Sequence, residues 1–103
     1  MKMQEMTVVR LYFNEEEHRL QKLVRYLHDE AQVRGVTVYR AIEGFDETGK
    51  IHGSGLIDLS LDLPLVVECF DTPEKMTEVM IHLNEMIEPG HMLSWSAQLN
   101  TAE

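Results

Sequence analysis

The stretch at residues 63–70, LPLVVECF, restricts the fold of this chain more than any other. Its β-branched and aromatic content reads as a strand. Successive side chains of a strand point to opposite faces, so Leu65, Val67 and Cys69 share one face and Val66, Glu68 and Phe70 the other. Both faces therefore carry apolar groups, whereas a strand with one wet face alternates between apolar and polar. The simplest cover for the second face is a partner subunit, and an oligomer is expected on this ground alone.

The other segments supply the frame around that strand. Residues 6–13, MTVVRLYF, read as a first strand, after which Asn14 offers a helix cap and Glu15, Glu16 and Glu17 occupy the anion-favouring first turn. Leu20, Leu23, Val24, Leu27 and Ala31 follow the spacing of one buried helix face, and Gly35 is expected to end that helix. Residues 36–43 form a second strand. Thr72 caps a second helix with Pro73 in its first turn, and Met76, Val79, Met80, Leu83 and Ile87 make its apolar stripe. Pro89-Gly90 is expected to break this helix before a final strand at residues 92–99. The order β-α-β-β-α-β predicts an α+β, ferredoxin-like sandwich: a four-stranded antiparallel sheet with two helices on one face.

At 103 residues the chain is expected to be a single domain. Its net charge of −9 argues against a nucleic-acid partner and against anionic lipid surfaces. No run approaches the length of a membrane span, and the start, MKMQEMTVVR, does not read as a secretory signal. The one cysteine, Cys69, excludes an internal disulfide and fits a cytoplasmic location.

Four of the six glycines fall at residues 44–55, within a connection far longer than the usual few residues. A mobile loop is expected at about residues 46–61. Gly44, Gly49, Gly53 and Gly55 would let backbone amides approach an anion, with Lys50, His52, Arg40 at the end of the second strand and Arg10 adding charge. The alternative is a hairpin tip whose glycines serve only its turns; the phosphate-binding pattern fails because Ile51 follows Gly49-Lys50. None of the histidines, at 18, 28, 52, 82 and 91, shows metal-binding spacing, although His52 and His91 could meet at a cleft between subunits. No nucleophile stands in a recognisable catalytic context, and Glu68 is expected to pair with Arg10 or Arg40 across the sheet. Cys69 reads as an inert small hydrophobe, and Trp95 as packing at an edge or interface.

Residues 50–76 carry three motifs in a distinctive order: Lys50-Ile51-His52, Leu59-Ser60-Leu61-Asp62-Leu63-Pro64 and Asp71-Thr72-Pro73-Glu74-Lys75. With Gly35-Val36-Thr37-Val38 and Gly44-Phe45 upstream, this pattern resembles the PII-like family known as domain of unknown function 190, related to the nitrogen-regulatory PII signalling proteins. The chain departs from it where NEEEHRLQKL replaces a Gly-basic-Pro-Leu turn. It departs from true PII proteins where Glu88-Pro89-Gly90-His91 replaces a glycine-rich basic loop that grips nucleotide phosphates. The resemblance implies a homotrimer with ligand clefts between subunits at the base of the long loop. It also implies a non-enzymatic sensor that binds a small anionic metabolite, an adenine nucleotide above all, without an obligatory cofactor. Arg40, Gly44, Phe45, Lys50 and His52 are the candidate ligand residues. A membrane transporter or channel is the implied partner, and a divalent-metal-binding trimer of the CutA type is the alternative.

Overall fold

The computed structural model describes residues 1–14, 17–45, 51–52 and 64–102. Strand β1 (Lys2–Asn14) precedes helix α1 (Glu17–Arg25), which widens into a π-helical turn over Tyr26–Glu30. Then follow β2 (Gly35–Arg40), the short strands β3 (Gly44–Phe45) and β4 (Ile51–His52), β5 (Pro64–Asp71), α2 (Pro73–Leu83) and β6 (Met92–Thr101). The four long strands make one antiparallel sheet in the order β2-β5-β1-β6. Each helix thus links two strands that flank a third, the split crossover of the expected ferredoxin-like fold.

The period of two along the strands decides which residues meet the helices. Val9 stands opposite Cys69 and Leu11 opposite Val67 in the β1–β5 ladder, and all four are fully buried. Against them pack Leu23 of α1, Leu27 of the π turn, Met76, Val79 and Leu83 of α2, and Ile87 beyond it. Leu20 and Ala31 border this core, so most of the expected α1 stripe faces inward. Cys69 sits at its centre, and burial, with the Glu68 carboxylate as a smaller cause, pushes its thiol pKa up to about 12.

Local signals explain one helix start and mislead at two helix ends. The Thr72 Oγ1 accepts from Lys75 N at 3.4 Å, with Pro73 in the first turn, as the sequence predicts. Asn14, by contrast, is the last residue of β1 opposite Pro64, and the capping contact expected there lies outside the described residues. Gly35 does not end the first helical segment. Ala31 N closes the π turn onto the Tyr26 carbonyl, and Gln32 takes the left-handed conformation at φ 52°. That unusual backbone is tied down from α2, since Lys75 Nζ donates to the Gln32 carbonyl at 2.8 Å. Gly35 instead opens β2 opposite Phe70, and the Phe70 ring lies across its backbone. Helix α2 ends at Leu83, well before Pro89-Gly90, and overlapping turns carry the chain on to Ile87.

Strand limits differ for a tertiary reason. Residues 2–5, polar except for Met3, are strand because they pair with residues 98–101 at the far end of β6. Strand β2 stops at Arg40 rather than at residue 43, because its partner β5 begins at Pro64 and the last β2–β5 pair is Arg40 with Leu65.

Two outcomes test this packing. A Cβ built on Gly35 would lie 2.4 Å from Phe70 Cε1, so Gly35→Ala must displace the ring. Urea titration should show stability reduced by about 1–3 kcal/mol with the denaturant slope unchanged, the usual cost of overpacking; an unchanged midpoint would contradict the close approach. The Cys69 thiol should resist an aromatic disulfide reagent at pH 8 in the native protein and react once per chain in guanidinium. Rapid native labelling would show that the core opens readily.

Candidate functional site

One end of the sheet holds Arg40 and both roots of the excursion that carries the other residues on which ligand recognition is expected. The chain leaves β2 at Arg40, whose partner is Leu65, and returns into β5 at Pro64, whose partner is Asn14. Both roots of the long excursion therefore lie side by side. Tyr12 N, near the same end of β1, donates to the His91 carbonyl at 2.9 Å, which places the turn before β6 there too.

Within the excursion the described residues form a small ladder: Gly44 pairs with His52 and Phe45 with Ile51. The backbone of three candidates is thereby arranged, with Gly44 directly opposite His52 and Phe45 beside it. Arg40 precedes them on β2 and is exposed. Lys50, and most of the loop expected at residues 46–61, lie outside the described residues, as does the side chain of His52.

The sequence reading overlooked Ile42. Ile42 is 87% exposed and Phe45 74%, and Tyr39, the residue before Arg40, is 49% exposed. Ile42 and Phe45 thus follow Arg40 closely in the chain at the root of the excursion, a composition suited to a ligand with a flat apolar part and an anionic part, while Tyr39 points to the opposite face of the sheet from Arg40. Its sequence signal was present but faint: Ile42 and Phe45 are too far apart and too irregular to mark a strand or helix face.

His91 does not join this group within one chain. Arg40 is on edge strand β2 and His91 adjoins edge strand β6, so three strand spacings, about 14 Å, separate them. The meeting of His52 and His91 expected between subunits falls outside the described residues, since the His52 side chain is not among them. Among the described residues no three His, Cys, Asp or Glu side chains converge as metal ligands. His82 is occupied otherwise: its ring stacks on Tyr26 with centroids 4.2 Å apart.

A second polar feature stands on the sheet face away from the helices. Arg10 and Glu68 are register partners, and Arg10 Nη2 and Nε donate to Glu68 Oε1 at 2.6 and 3.0 Å. This settles the partner of Glu68 as Arg10 rather than Arg40. It also removes Arg10 as a loose cation for the loop. The guanidinium lies 5.1 Å from the centroid of the Trp95 ring, a cation–π contact. Hydrogen bonding by the Tyr12 side chain first, and by Glu68 second, raises the Arg10 pKa above the ordinary guanidinium value, so it stays charged. No helix of the described chain is long and apolar enough to cross a membrane.

Known proteins share this arrangement. The chain is 37% identical over 73 residues to a UPF0166 protein of Aquifex aeolicus (strain VF5), a match covering 67% of this chain and 70% of that one. In structure it is similar to CPII of Thiomonas intermedia K12, a nitrogen regulatory PII-like protein bound to ADP, AMP and bicarbonate. That likeness has a TM-score of 0.63 at 17% identity and covers 95% of this chain and 91% of CPII. CutA1 from Oryza sativa is similar to the same degree, with a TM-score of 0.63 at 12% identity over 96% of this chain and 84% of that one. At such identities the structural likeness speaks for the fold. The sequence match is the stronger statement: residues 6–99 fit the family DUF190, described as uncharacterized ACR, and the chain belongs to that family.

Proposed function

We propose that this protein is a non-enzymatic, PII-like sensor. It binds a small anionic metabolite, an adenine nucleotide, at clefts between the subunits of a homotrimer, and it regulates a partner protein through its long loop. The observation that carries this reading is the root of the excursion, where exposed Ile42 and Phe45 follow exposed Arg40 closely in the chain and the Gly44–His52 pair lies beside Phe45. An adenine ring has a flat apolar face for such side chains, and phosphate oxygens suit a guanidinium. The glycine backbone opposite His52 leaves room for close approach, and Lys50, between β3 and β4 in sequence, adds a second cation.

The separation of Arg40 from His91 supports a site shared between copies, since one chain presents the two at opposite edges of the sheet. The ADP and AMP bound by CPII support the choice of nucleotide, on a similar fold. A ligand held at this root would change the surface that the long loop offers to a partner, for which a membrane transporter or channel is the candidate. A cytoplasmic site of action fits the reduced thiol of Cys69.

The test is a thermal-shift panel of ATP, ADP, AMP and a cyclic nucleotide, each with and without bicarbonate. At one hundred times its dissociation constant a native-state ligand adds about 2.7 kcal/mol, which corresponds to a melting shift on the order of 10 °C. Arg40→Gln should weaken the active nucleotide at least roughly tenfold, the loss expected when one charge-assisted hydrogen bond is removed. Melting that ignores every nucleotide but rises with Cu²⁺ or Zn²⁺ would put a divalent-cation function of the CutA kind in its place.

A further inference from the structure

The sheet face away from the helices is apolar along most of its length. By register, Val8, Val66, Phe70, Leu93 and Trp95 lie on it, together with Met6, which is already buried within the chain, and with Tyr12, Thr37 and Tyr39. Leu93 is 53% and Trp95 40% exposed, and no described helix packs there. Within this surface stands one ion pair, Arg10–Glu68, with side chains 37% and 24% exposed. Both Arg10 donors that reach Glu68 fall on the single oxygen Oε1, and among the described residues Oε2 is left for a further donor.

Such a face discriminates among occupants. A wholly apolar partner would bury the leftover carboxylate oxygen and part of a guanidinium without new hydrogen bonds, at a substantial desolvation cost. A second copy of this chain brings the same guanidinium and the same carboxylate on an equally apolar ground. It matches the first in both charge and hydrophobicity.

We propose that the Arg10–Glu68 pair selects a second copy of this chain as the occupant of the open sheet face, each pair bonding to that of the neighbouring copy. The pair is a specificity device: apolar contact supplies most of the attraction, and the charges decide which partner and which registration satisfy every donor and acceptor. This inference rests on the subunit assembly proposed above and adds to it the residues that make the assembly selective.

Charge reversal tests it. The variants Arg10→Glu and Glu68→Arg each place like charges side by side within one chain. Each alone should assemble at least tenfold more weakly than wild type in native mass spectrometry and sedimentation velocity. Mixed in equal amounts they should recover assembly in part, as oligomers containing both chains, because the carboxylates of one face the guanidiniums of the other at each mixed interface, while a trimer of two chain types keeps one like interface. Single variants that assemble like wild type would overturn the proposal, as would a mixture that stays apart. Should either reversal unfold, as judged by circular dichroism, Arg10→Gln and Glu68→Gln replace them: weakened assembly supports the role, and unchanged assembly overturns it. A wild-type monomer at micromolar concentration would sink the assembly reading itself, whereas a wild-type oligomer with indifferent variants would sink only the role of the ion pair.

Discussion

Two helices can cover only one face of a four-stranded sheet, and nearly everything else about this protein follows from that limit. The central ladder of β1 and β5 turns Val9, Leu11, Val67 and Cys69 toward α1 and α2. The same pleat turns Val8, Arg10, Val66, Glu68 and Phe70 the other way, where the described chain has no second layer. Period-two alternation makes the two faces inseparable, since a one-residue slip would exchange them and expose the core. The apolar second face is therefore a feature that the sequence maintains alongside its core.

The excursion between β2 and β5 depends on the same sheet. Its roots are held together because Arg40 and Pro64 lie at one end of neighbouring strands, so a long insertion costs the fold little. The β3–β4 ladder then brings Gly44 and His52 together close to Arg40 in the chain. Exposed apolar side chains beside an exposed cation at this root, and an apolar face with an ion pair within it, are two unsatisfied surfaces of one sheet. Both are the kind of surface that a shared assembly would complete, one as a cleft and one as an interface.

Several elements were legible beforehand for identifiable reasons. Thr72-Pro73 announces α2 because a capping hydroxyl and a fixed proline φ act locally, and the Met76–Val79–Leu83 spacing follows from helical geometry. The pairing of Glu68 with an arginine was foreseeable in kind, since a carboxylate on an apolar face requires a partner. Which arginine it is depends on register, and Arg10 stands directly opposite while Arg40 faces Leu65. Gly35 was misread because a glycine after a helical stripe usually caps it. Here Gln32 bears the left-handed backbone with help from Lys75, and the glycine serves a close approach by Phe70. Arg40, Gly44 and Phe45 stand out in the sequence as candidates, whereas Ile42 carries no periodic signal, and His91 lies at the opposite edge of the sheet from Arg40.

By itself the sequence determined the order of elements, the two faces of the strand at residues 63–70, and the apolar groups that both of those faces carry. These are set by local preference and by the two periods, 2.0 and 3.6, which act within a few residues. Only the tertiary structure decided where β1 and β6 extend beyond their apolar segments, how the first helical segment ends, and which charges meet on the open face. Those outcomes depend on pairing between residues far apart in the chain, such as Lys2 with Thr101 and Arg10 with Glu68. Strand register, which no single segment encodes, is the physical quantity that sets them.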